Sequence, residues 1–93
     1  MTSPDGDRTV RQLRDEISEV DRALLAAVNA RLELVTRLKR HKEEVGLPFV
    51  DPDRENELIA ALAAHNGGPL TDDGLRELYA YLLDLTKREV SRD

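Results

Sequence analysis

Between Arg8 and Val45 the chain carries neither proline nor glycine, and apolar residues recur at Val10, Leu13, Ile17, Val20, Leu24, Val28, Val35 and Leu38. At 100° per residue these positions fall within about 40° of one line on a helix surface. The pattern predicts a single helix of roughly 38 residues, about 57 Å long at 1.5 Å per residue. Gly46 supplies a C-terminal cap and Pro48 stops the helix. A second helix opens at Asp51, a good N-cap, with Pro52 at its first position and Leu58, Ile59 and Leu62 on its inner side. "NGGP" (66–69) reads as a loop. Thr71 or Asp72 then caps a third helix, over about residues 73–91, with Leu75, Leu78, Tyr79, Leu82, Leu83 and Leu85 as its apolar face. No segment alternates with period two, so no strand is predicted and the fold class is all-α, a three-helix protomer. Residues 1–7, polar and holding Pro4 and Gly6, are expected to be a disordered lead-in to a single domain over 8–93.

An apolar stripe as long as that of the first helix is more than most single helices carry, and it suggests a seam with another long helix. The expectation is an intertwined homodimer in which two long helices run antiparallel about a two-fold axis. Composition supports the class. Of the 93 residues, 40% are hydrophobic, 35% charged and only 3% aromatic, an aliphatic, helical-bundle balance. A chain this small has a thin core, and association is a common remedy. With no cysteine, disulfides and cysteine-based zinc or redox sites are out. No apolar run approaches the roughly 20 residues of a membrane span, and "MTSPDGDRTV" lacks the hydrophobic centre of a secretory signal. The expected compartment is the cytoplasm, with no membrane partner. A net charge of −5 argues against nucleic acid, which needs a dense basic face.

The exceptions to the pattern are cations. Steps of three and four link Leu24, Val28, Arg31, Val35, Leu38 and Lys42, so Arg31 and Lys42 lie within about 20° of the stripe's centre. Arg14 lies on its flank, about 80° off, while Arg37, Lys39 and Arg40 are turned about 60° or more away and can reach solvent. A buried cation without a counter-ion is costly. Such side chains can snorkel to water or pair internally, with Glu55 for example. Alternatively they line a polar cavity that binds an anion between helices. In "DPDRENE" (51–57) the first turn of the second helix brings Asp51, Arg54 and Glu55 close together. Acids there suit the helix dipole, which explains Asp51 and Asp53 but not Arg54. His41 and His65 fall outside the cluster and read as surface residues.

Taken together, "LRDEISEVDRALLAAVNAR", "KRHK" and "FVDPDRENEL" resemble the all-helical class of chorismate mutases, over nearly the whole chain from about Leu13. The intervals between Arg14, Arg31, Lys42, Asp51, Arg54 and Glu55 match that family, and "VDPDRE" and "NGGPL" are most similar to mutases fused to, or working with, the first enzyme of the shikimate pathway. The resemblance implies a homodimer with two identical sites that converts chorismate to prephenate, a Claisen rearrangement, on the route to phenylalanine and tyrosine. It implies no cofactor, no metal and no covalent intermediate. By that resemblance, Arg31 of one protomer and Arg14 of the other grip the two carboxylates of the dianion, which supplies the counter-charge that Arg31, Lys42 and Arg14 otherwise lack. Lys42 donates to the ether oxygen, Asp51 and Glu55 hold the hydroxyl end of the ring, and Arg54 supports a carboxylate or its neighbours.

One position departs from the family's pattern. Its third helix usually brings a Ser or Thr and, four residues later, a Gln or Glu that also donates to the ether oxygen. The first matches Thr86. The second falls on Val90, which cannot donate, unless a one-residue loop difference shifts it to Glu89. A slower enzyme is expected, or one whose "KREVSRD" segment is rearranged by a partner; the aldol-forming synthase that opens the pathway is the candidate. Two other readings compete. An isochorismate–pyruvate lyase or an aminodeoxychorismate mutase would share the cation clamp, and a non-catalytic helical dimerisation or regulatory module would share the stripe.

Overall fold

A computed structural model describes residues 6–92. Three helices follow one another: α1, Arg8–Val45; α2, Pro52–His65; and α3, Asp72–Val90. Among the described residues there is no strand. The expected lead-in lies, over residues 1–5, outside the described residues.

Each helix end has a local cause. Asp7 starts α1: its Oδ1 accepts from the Val10 amide at 3.1 Å and its carbonyl from the Arg11 amide at 3.0 Å. At the other end Gly46 adopts φ +76°, and the Leu47 amide closes onto the Lys42 carbonyl at 2.8 Å. This is the left-handed glycine cap that the sequence predicts. Asp51 Oδ1 accepts from the Arg54 amide at 3.2 Å, with Pro52 at the first helical position. Asn66 ends α2 and shapes the loop, its side chain donating to the Leu70 carbonyl at 2.7 Å and accepting from the Gly68 amide at 3.2 Å. Thr71, rather than Asp72, caps α3 through the Gly74 amide at 3.0 Å.

The Gly46 cap gives a first prediction. An added Cβ at Gly46 meets no atom, yet the positive φ remains costly for any other residue. Gly46→Ala is expected to lose about 1 kcal/mol, a fall in Tm of roughly 4–8 °C by thermal denaturation. Gly67→Ala is the control: its φ is not positive and its Cβ would also meet nothing, so no loss is expected.

The chain divides into two compact units, one ending at Glu33 and one beginning at Leu34. In the first, every residue of α1 from Arg11 to Ala27 is exposed, including Leu13, Ile17, Val20, Leu24 and Leu25, which are 53–66% exposed. In the second, α2 packs on α3. Its core is small: Leu75 and Val90 are buried, and so is Thr86, whose hydroxyl donates to the Leu82 carbonyl of its own helix at 2.7 Å. Tyr79, Leu82, Leu83 and Leu85 are half-buried, as predicted for the inner face of α3, but Leu78 is 52% exposed. Three residues after Leu75, it stands to one side of the line running through Leu75, Leu82 and Thr86.

Candidate active site

Lys42 lies in the last turn of α1, where a cation suits the negative end of the helix dipole. The Gly46 turn folds the following residues back, so that Lys42 Nζ donates to the Phe49 carbonyl at 3.2 Å. That bond satisfies one of the ammonium's three N–H groups without neutralising its charge. Among the described residues Lys42 is half-buried and has no carboxylate partner.

Lys39 departs from expectation. Instead of reaching solvent it is half-buried, donates to the Val90 carbonyl at the end of α3 at 3.2 Å, and lies 5.9 Å from the Phe49 ring centroid. The cause is that α3 ends beside it: the last carbonyls of a helix need donors and attract cations. A helical wheel of α1 alone carries no sign of that neighbour.

In α2 the acidic turn separates into distinct environments. Asp51 is exposed and committed to capping. Arg54 points outward and pairs loosely with Glu57 at 3.9 Å, a solvent-screened contact. Glu55 turns inward and pairs with Lys87 of α3, Oε1 to Nζ 2.8 Å, the two side chains being 27% and 37% exposed. This cross-helix pair joins residues 32 positions apart, so the sequence pattern gave no hint of Lys87.

Next to Lys87, Thr86 is buried; Val90, one turn on, is buried and apolar. Glu89, the alternative in that register, is bonded to Arg92 at 2.9 Å. The second unit therefore brings together Lys39, Lys42 and Phe49 around the end of α1, and Glu55 and Lys87 between α2 and α3. In the first unit Arg31 is half-buried and Arg14 exposed, and both are engaged within the chain. The expectation that all three cations lack internal partners therefore does not hold for the two arginines, and none of the three is fully buried. His41 and His65 are exposed, as predicted.

An open groove runs along the first turns of α1, lined by Arg8, Arg11, Gln12, Asp15, Glu16 and Glu19. These side chains share one face of a solvent-exposed helix and include no hydrophobic residue, so the groove has the character of surface. Among the described residues no cluster of three or more His, Asp or Glu side chains could hold a metal ion, and no helix is long and apolar enough to cross a membrane.

Comparison with known proteins agrees with this architecture. The sequence profile described as chorismate mutase type II matches residues 13–90. The bifunctional chorismate mutase/prephenate dehydratase of Aquifex aeolicus is 30% identical over 87 residues, covering 85% of this chain and 24% of its own length. The T-protein of Haemophilus influenzae is 38% identical over 72 residues, covering 72% of this chain and 19% of its own length. This chain thus spans less than a quarter of the length of either relative. Among solved structures, chorismate mutase (form II) from Thermus thermophilus superposes with a TM-score of 0.87 at 34% identity, over 92% of this chain and 98% of that one. Three capped helices in this order, a profile match over all of them and a solved neighbour of the same extent leave one assignment: the chain belongs to the chorismate mutase type II family.

Proposed function

We propose that this chain rearranges chorismate to prephenate, holding the dianion with cations and stabilising the charge that appears as the ether bond breaks. The observation that carries the reading is Lys42, a half-buried ammonium fixed by the Phe49 carbonyl with no acid against it among the described residues, in a chain of this family. Lys42 donates to the ether oxygen. Arg31 and Arg14 bind carboxylates, for which the planar guanidinium fork is suited, and so leave their contacts within the chain for the substrate. Glu55 and Asp51 meet the hydroxyl end of the ring, Asp51 mainly through the helix start that it caps. Arg54 stands behind the carboxylate clamp. Thr86 supports the third helix, and Val90 presents an apolar wall where a donor could stand. Neither a nucleophile nor a general base is required, because the reaction is unimolecular and gains mainly from holding the side arm over the ring. No cofactor or metal enters the scheme.

The working unit is proposed to be a homodimer with antiparallel long helices. The support is the exposure of Leu13, Ile17, Val20, Leu24 and Leu38, an apolar line too long to be a chance surface feature. Arg14 of one protomer then completes the site of the other. The proposed compartment is the cytoplasm. The aldol-forming synthase of the shikimate pathway is the proposed partner that rearranges residues 87–93, and equal rates with and without that synthase would count against this.

The direct test follows the loss of chorismate absorbance with the purified protein alone, offering isochorismate and aminodeoxychorismate in parallel. Turnover of chorismate to prephenate is expected. Pyruvate release from isochorismate without mutase activity would replace this reading with a lyase, and inertness toward all of them would favour a non-catalytic module.

A further inference from the structure

Resting on the mutase reading, we propose that Lys87 sets substrate specificity: by pairing with Glu55 it makes the site select a neutral hydroxyl on the ring and reject a charged amino group. The observation is the 2.8 Å contact between Lys87 Nζ and Glu55 Oε1, made from α3 to α2.

The two candidate substrates differ at one substituent. Chorismate carries a hydroxyl there; aminodeoxychorismate carries an amine, which is protonated near neutral pH. An unpaired Glu55 would accept a hydrogen bond from either, and would favour the ammonium by simple attraction. Glu55 as it stands is different. Oε1 is held by Lys87, so the pair as a whole carries no net charge, and Oε2 is left to accept a hydrogen bond. A hydroxyl needs only that acceptor. An ammonium would gain little from the neutralised pair, would meet the like charge of Lys87 at short range, and would still lose its own hydration. The pair therefore acts by differential affinity, through a cost imposed on the wrong substrate.

Lys87 is thus a positioning residue that works through Glu55. It is held for the task by its place on α3, immediately after the buried Thr86, and by the half-burial of both partners. Because both side chains keep some solvent contact, screening limits the effect to about tenfold rather than the thousands a dry pair could give.

The experiment measures kcat/KM for chorismate and for aminodeoxychorismate on the same preparation of wild type, Lys87→Gln and Lys87→Arg. A ratio of two substrates is independent of the folded fraction, so a destabilised variant still reports. Wild type is expected to prefer chorismate, Lys87→Gln to lower that preference by up to about tenfold, and Lys87→Arg, which keeps the charge, to retain most of it. A merely structural pair would lower both rates together and leave the ratio alone. An unchanged ratio in Lys87→Gln, or a wild-type protein that uses both substrates equally, overturns the inference while leaving the mutase reading in place. Failure of wild type to turn over either substrate overturns both.

Discussion

Replacing Lys42 by methionine is expected to lower kcat for chorismate by about 10²–10³-fold while Tm falls by roughly 4–8 °C, the equivalent of one hydrogen bond. The rearrangement breaks a C–O bond, and negative charge gathers on the ether oxygen only in the transition state. A donor aimed at that oxygen therefore affects kcat more than KM. The structure supplies a reason for Lys42 to be ready: the Phe49 carbonyl accepts a hydrogen bond from its Nζ at 3.2 Å, which limits the ammonium's rotation and leaves two N–H groups for other acceptors. Methionine keeps the length and packing of the stem and removes the donor. The cost to the fold is the single bond to the Phe49 carbonyl, about 1 kcal/mol at a half-buried site. Steady-state rates and thermal melts on the same samples check both halves. Unchanged kcat would remove Lys42 from the chemistry, and the proposed mechanism would lose its principal donor.

How much of this was legible in the sequence depends on the range of the interaction. Helix ends are local: Gly46 with its left-handed backbone, Asp51 before Pro52, and Thr71 three residues before Gly74 each act on neighbours within one turn, so residue types in order were enough to place α1, α2 and α3. The inner face of α3 was largely legible for the same reason, through the 3.6-residue period. What the pattern missed depends on which helix end meets which. Lys39 looked free on a wheel of α1, and only the position of Val90 at the end of α3 shows what its long stem reaches. Lys87 carries no signal in the sequence because its significance comes from Glu55, on a different helix. The family resemblance supplied positions but not states: Asp51 and Glu55 look alike within "DPDRE", yet one is an exposed cap and the other a half-buried, ion-paired acid.

Leu24→Glu, alone or with Ile17→Glu, is expected to convert the protein to monomers and to abolish mutase activity, with the mass measured by sedimentation and the rate by chorismate consumption. In the single chain these side chains are 60% and 59% exposed. If they belonged to a monomer's surface, a glutamate there would change stability by no more than about 0.5 kcal/mol, since glutamate's helix propensity is close to that of leucine and above that of isoleucine. In a seam between two copies of α1 the consequence is opposite in kind. Each substitution appears twice across a two-fold axis, and each places a carboxylate among apolar neighbours that offer it no partner. The small core of the second unit, Leu75 and Val90 with the Thr86 hydroxyl satisfied by its own helix, gives little reserve against that loss. Activity should disappear with the dimer because Arg14 is proposed to serve the opposite protomer's substrate, so a monomer would keep Lys42 and Arg31 but lack one carboxylate clamp. A monomeric variant with full activity would show that each chain carries a complete site. A variant that stays dimeric at low concentration would show that the exposed stripe of α1 is not the seam.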